Sequence, residues 1–92
     1  MSTNLPDSIK REGEHKEWYE NGQIRVHEFY RDGKLDGERK EWYENGQLQV
    51  HGFYRNGKLD GENKNWHENG QFRLQEFYRD GITARHFAIA KL

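Results

Sequence analysis

Cysteine is absent from the 92 residues, which removes both a disulfide frame and a thiolate metal site. Proline occurs once, at Pro6. No stretch approaches the ~20 apolar residues a helix needs to cross a bilayer, and Met1 to Lys10 lacks the apolar segment of a secretory signal. Residue 2 is serine, so N-myristoylation is excluded. Serine and threonine are scarce: Ser2, Thr3, Ser8 and Thr83 all lie outside residues 13–81. Charge of one sign is lacking too, with a net charge of −1. Nucleic-acid modules carry a basic excess and peripheral membrane binders a basic cluster, so neither partner is expected. These absences predict a soluble, cytoplasmic protein of at most one small domain.

Hydrophobic residues make up only 32% against 34% charged, a poor balance for a conventional core, yet aromatics reach 14%, well above disordered composition. The aromatics fall at fixed intervals. Trp18 to Gln23, Trp42 to Gln47 and Trp66 to Gln71 are versions of one phrase, spaced by 24 residues. Each contains an Asn-Gly pair, at Asn21-Gly22, Asn45-Gly46 and Asn69-Gly70. Asp32-Gly33 and Asn56-Gly57 lie between them, and Asp80-Gly81 follows the last. Asn-Gly flanked by alternating residues signals a hairpin, because a two-residue type I′ turn needs positive φ at both central positions. The segments between are strands by their period of two, as in Ile24, Val26, Glu28 and Tyr30 set against Arg25, His27 and Phe29. Six turns predict up to seven strands in an antiparallel meander. The Asp-Gly turns, followed by Lys-Leu-Asp-Gly, leave a longer connection open as an alternative.

With two-residue turns throughout, Tyr19 faces Ile24, Trp18 faces Arg25, His67 faces Phe72, Trp66 faces Arg73, and Gly13, Gly37 and Gly61 face Tyr30, Tyr54 and Tyr78. A glycine opposite a tyrosine leaves room for the ring over bare backbone. The arms between turns alternate between nine and eleven residues, so successive hairpins are offset by two and the ribbon is sheared. One face is then aliphatic and aromatic, with Tyr19, Ile24, Val26, Tyr43, Leu48, Val50, Phe72 and Leu74. It serves self-association or internal cover. The other mixes aromatics with charge, and its Trp18, Arg25, Trp42, Trp66 and Arg73 are the candidate partner-binding face. Residues 1–12 read as a polar lead-in, 13–36, 37–60 and 61–81 as the repeats, and 82–92, the most apolar segment, as a closing strand, with a short helix as the alternative.

The wording Trp42-Tyr43-Glu44-Asn45-Gly46-Gln47-Leu48, followed by Phe53-Tyr54-Arg55-Asn56-Gly57-Lys58-Leu59-Asp60-Gly61, resembles the MORN repeat family in its shorter-motif variant. The resemblance runs from Gly13 to about Gly81 and implies an all-β, elongated, single-layer antiparallel meander. It implies scaffolding, dimerisation and protein binding rather than one activity. It extends to antitoxin-like bacterial proteins and to repeat proteins of large DNA viruses, so an immunity role, a virion component and a peripheral membrane scaffold stand as alternatives. The third copy departs from the pattern at Asn65 and His67.

Catalysis is not expected. Three near-identical copies on a single-layer sheet offer no asymmetric, water-poor pocket, and no Gly-rich turn lies between a strand and a helix before Lys-Ser/Thr. Glu17 and Glu41 are expected to pair with lysines or arginines on neighbouring strands. His27 and His51 are expected roughly 9.5 Å apart, two strand spacings, too far to share a metal whose bonds to nitrogen are ~2 Å. No cofactor and no metal are expected. A lone sheet cannot bury both of its faces, so the expected partner is another protein or a second copy of the chain.

Overall fold

The computed structural model describes residues 11–88. These residues form strands and turns with no helix among them: β1 (Gly13–Trp18), β2 (Ile24–Arg31), β3 (Lys34–Leu35), β4 (Gly37–Trp42), β5 (Leu48–Arg55), β6 (Lys58–Trp66), β7 (Phe72–Arg79) and β8 (Ile82–Ala88). All pairing is antiparallel in one open sheet of order β1-β2-β4-β5-β6-β7-β8, with β3 also on β2. Because β3 and β4 together occupy the place that β6 occupies in the next repeat, the sheet has the seven rungs of a meander. Its radius of gyration, 15.0 Å, exceeds the ~12 Å of a compact domain of this length, as a single layer requires. The closing segment is a strand over Ile82–Ala88. The lead-in up to Lys10 and the last residues, 89–92, lie outside the described residues.

The two kinds of turn differ in a way the dipeptides hide. Asp32, Asn56 and Asp80 have φ of 52°, 56° and 56°, and the glycine after each is also positive, so these are the two-residue type I′ turns. The Tyr-Glu-Asn-Gly turns are longer. Gly22 N donates to Tyr19 O (3.0 Å) and Tyr19 N to Gln23 O (2.8 Å), with Gly22 at φ 91° and Asn21 not positive. That is a type I turn closed by a left-handed glycine, with Asn21 Oδ1 accepting from Gln23 N at 2.8 Å. The same bonds recur at Tyr43–Gln47 and His67–Gln71.

The longer loop moves the register by one residue, and a bulge moves it back. Trp18 pairs with Ile24, and Glu17 already pairs with Val26, so Arg25 is the extra residue. Trp42↔Leu48 and Trp66↔Phe72 repeat this, with Gln49 and Arg73 as the extra residues. Beyond the bulge the register is that of a two-residue turn, and Gly13↔Tyr30, Gly37↔Tyr54 and Gly61↔Tyr78 pair as the sequence predicts. The glycines serve backbone conformation rather than ring packing. Gly37 and Gly61 have φ of 110° and 111°, and the neighbours their Cβ atoms would meet are the β-carbons of Phe29 and Phe53.

At these glycines each strand gains the predicted two-residue offset. Tyr30 pairs with Leu35 and Val26 with Glu41, so two more residues separate Leu35 from Glu41 than Val26 from Tyr30. Tyr54↔Leu59 and Gly52↔Asn63 show the same step. Asp36 and Asp60, inside this irregularity, reach the next repeat: their Oδ1 atoms accept from Asn56 N (3.3 Å) and Asp80 N (3.1 Å). Gly57 N and Gly81 N donate to the carbonyls of Leu35 and Leu59, both at 2.8 Å. At the first repeat Arg11 O and Glu12 Oε2 supply the equivalent acceptors for Gly33 N and Asp32 N.

Candidate interaction surface

Alternation along the strands and the observed pairs define the two faces. The first holds His15, Glu17, Val26, Glu28, Tyr30, Arg39 and Glu41. Val26 is 3% and Glu28 5% exposed, although among the described residues no second layer lies over them. Long polar side chains cover them instead. Glu28 accepts from Arg39 Nε (2.7 Å) and from Tyr30 Oη (2.9 Å), and His15 Nε2 stands 3.8 Å away. Arg39 also donates to Glu41 at 2.7 Å, and Arg25 to Glu17. Burial works to lower the Arg39 pKa, but its hydrogen bonds to Glu28 and Glu41 outweigh that, so it stays a cation more firmly than usual. Burial, then the Glu28 hydrogen bond, raise the pKa of Tyr30. Glu17 thus finds an arginine across the strand pair as expected, whereas Glu41 finds one on its own strand rather than on a neighbouring one.

The second face holds Trp18, Lys16 and Glu14 on β1, Ile24, His27 and Phe29 on β2, and their repeats. Its middle is self-contained. His27 and His51 meet Glu14 and Glu38, each at 2.7 Å, and Gln75 meets Glu62. Lys16, Lys40 and Lys64 lie within 3.9 Å of the same three carboxylates. Among the described residues no group of three or more histidines, aspartates and glutamates is placed to hold a metal. Beside this polar band runs an apolar row of Trp18, Ile24, Trp42, Leu48, Trp66 and Phe72. Trp18 is 58% exposed, and the Trp66 and Phe72 rings meet edge on at 5.6 Å.

Several sequence expectations are corrected by the bulge. Ile24, Leu48 and Phe72 do not share a face with Val26, Val50 and Leu74; they pair with Trp18, Trp42 and Trp66. Trp18 does not face Arg25, nor Trp66 Arg73. Arg25 turns to Glu17, and Arg73 is exposed in the equivalent bulge. Tyr19 does not face Ile24, nor Tyr43 Leu48, nor His67 Phe72. Tyr19 and Tyr43 sit in the turns, and their hydroxyls donate to the next repeat, to Trp42 O at 2.6 Å and Trp66 O at 2.8 Å. Desolvation, then Glu44 and Glu41, raise the Tyr19 pKa. Asn21 and Asn45 donate similarly to Glu44 O (3.1 Å) and Glu68 O (3.0 Å). The sequence reading missed this hydroxyl ladder and the Glu28–Arg39 pair. The signal for the ladder was the recurrence of Tyr19 and Tyr43 as the first residue of the first two Asn-Gly turns.

A cleft of about 230 Å³ lined by Arg11, Glu12, Gly13, Glu14, His15 and Tyr30 opens at the β1 end. It is smaller than the ~300–1,000 Å³ typical of small-molecule sites. No helix among the described residues is long and apolar enough to cross a membrane.

The family model described as the MORN repeat variant matches the chain three times in succession, at residues 11–32, 35–56 and 59–80. The chain belongs to the MORN repeat variant family. Its three MORN repeats account for every strand up to β7, and β8 follows the last of them. No curated protein and no solved structure matches the chain closely enough to add to this. MORN repeats are in general modules for protein or membrane interaction.

Proposed function

We propose that this chain is a non-enzymatic protein-interaction or scaffold module, working in the cytoplasm without cofactor or metal, and that the Trp18–Trp42–Trp66 row with Ile24, Leu48 and Phe72 takes the partner. One observation carries this reading: around Val26 and Glu28 the opposite face is covered by ion-paired side chains, while this row keeps Trp18 58% exposed. Tryptophan flanked by satisfied polar groups is the composition of an interface centre with a polar rim. The partner is another protein with an apolar, aromatic-rich surface.

The experiment is chemical cross-linking in lysate of the native source, identification of the recovered partner by mass spectrometry, and titration of that partner with Trp42→Ala. Losing a central tryptophan typically costs about 2 kcal/mol of binding, so the affinity falls roughly 30-fold, with the far-UV spectrum of the sheet unchanged. Unchanged affinity, or outright unfolding of the variant, removes the row as the binding surface.

A further inference from the structure

The contacts between MORN repeats end in two half-sets that complement each other. Inside the array, Tyr19 and Tyr43 donate to Trp42 O and Trp66 O, Asn21 and Asn45 to Glu44 O and Glu68 O, and the Gln23 and Gln47 side chains lie against Gly46 and Gly70. At the first repeat the equivalent receivers are Trp18 O, Glu20 O and Gly22, and among the described residues nothing lies within 4 Å of the Cβ position of Gly22. At the third repeat the equivalent donors are His67, Asn69 and Gln71, and Asn69 turns back on Gln71 at 3.4 Å.

The strands tell the same story. β4 lies on β2 through Val26↔Glu41 and His27↔Lys40, and β6 on β5 through Val50↔Asn65 and His51↔Lys64. The same step from β7 calls for a strand with the sequence of β1, placing Glu17 opposite Leu74 and Lys16 opposite Gln75. β8 stands there instead and does not follow the pattern. Ala84 occupies the position of Asp36 and Asp60, and Arg85 that of Gly37 and Gly61. Phe77↔Arg85 and Tyr78↔Thr83 show one extra residue where the other junctions have two. The run Arg11-Glu12-Gly13-Glu14 keeps the pattern: Glu12 takes the role of the aspartates, and Gly13 has φ 80°.

We propose that β8 is an in-chain stopper: it covers the edge of β7 that otherwise receives β1 of a second copy, head to tail. The contact is heterologous, so it generates an open chain of copies rather than a closed dimer. β8 holds the edge through its tether. A short connection gives it an effective concentration on the order of mM, so at about 10 μM protein it has a roughly hundredfold advantage over an equally good strand from another molecule.

The test uses the absence of native cysteine. In the full chain carrying Glu20→Cys and Asn69→Cys, the new thiols sit at opposite ends of the array, so any disulfide joins two molecules. Asn45→Cys with Glu68→Cys, which changes an internal pair, checks that the geometry permits the bond. The full-length chain is expected to remain monomeric on oxidation. Adding Arg85→Pro, which breaks the β8 ladder, should raise the cross-linked ladder of dimer, trimer and longer species at least about tenfold, towards the hundredfold limit set by the tether. A chain ending at Gly81 should do the same. The proposal is overturned by an equal ladder with β8 intact, by no ladder while the sheet signal persists, or by loss of the sheet signal in both variants. The last result makes β8 a required part of the fold.

Discussion

On one face of the sheet Val26 and Glu28 are almost closed to solvent; on the other, Trp18 keeps 58% of its surface exposed. Both belong to the same single layer, and neither has a second sheet above it among the described residues. The difference lies in what surrounds them. Arg39, Tyr30 and His15 lie over the Val26 face, the first two hydrogen-bonded to Glu28 and the third to Glu17 at 3.0 Å. On the Trp face the lysines and histidines are drawn to Glu14, Glu38 and Glu62, away from the apolar row. A sheet one layer thick can therefore close part of one face with its own ion pairs while aromatic side chains stay open on the other.

The largest expected effect breaks the covered face. Arg39→Met leaves the Glu28 carboxylate buried without its cation, and the chain should lose about 2–3 kcal/mol of stability, read from the urea midpoint at constant m. A loss below about 0.5 kcal/mol means that Arg39 is not what closes this face.

Next comes the ladder that joins the repeats. Tyr19→Phe deletes the bond to Trp42 O and should cost about 1 kcal/mol at pH 7. The raised Tyr19 pKa adds a pH dependence. The folded state favours the neutral phenol, so this contribution is complete below the ordinary tyrosine value of about 10 and fades as pH rises through the higher folded value. Urea midpoints of wild type and Tyr19→Phe should converge above that point. A difference that persists undiminished into strong alkali removes the hydroxyl as the cause.

The smallest effect sharpens the contrast. Trp18→Ala, on the open row, should change stability by no more than about 0.5 kcal/mol in the same urea titration. A loss comparable to that of Arg39→Met would put both faces on an equal footing and make the Trp row part of the core.

The period, the number of rungs, the antiparallel order and the Gly13–Tyr30 type of pairing were legible because each follows from local alternation and turn chemistry. The distribution of Ile24, Leu48 and Phe72 between the faces was not. It depends on whether Asn21-Gly22 supplies both central residues of a type I′ turn or the end of a type I turn, and the dipeptide fits either. The difference is one residue of loop, returned by one residue of bulge at Arg25, so the far register looks the same while the near side chains change sides. The Glu28–Arg39 pair was hidden for another reason. Gly52 stands in the position of Glu28 in the second copy, and His15 and Asn63 stand in that of Arg39. Periodicity cannot reveal a contact that only one repeat makes.

Apart from the Arg39–Glu28 bond, whose partners are 11 positions apart, the side-chain bonds between repeats described above join residues 20 or 23 positions apart, whether Asp36 to Asn56 or Tyr19 to the carbonyl of Trp42. None reaches past the adjacent repeat. The array is consequently a ruler. Each 24-residue unit adds two strands, about 9.5 Å, and the first two bring the tyrosine and asparagine that join the next. Duplicating or deleting one unit in the gene would lengthen or shorten the Trp row by a fixed increment.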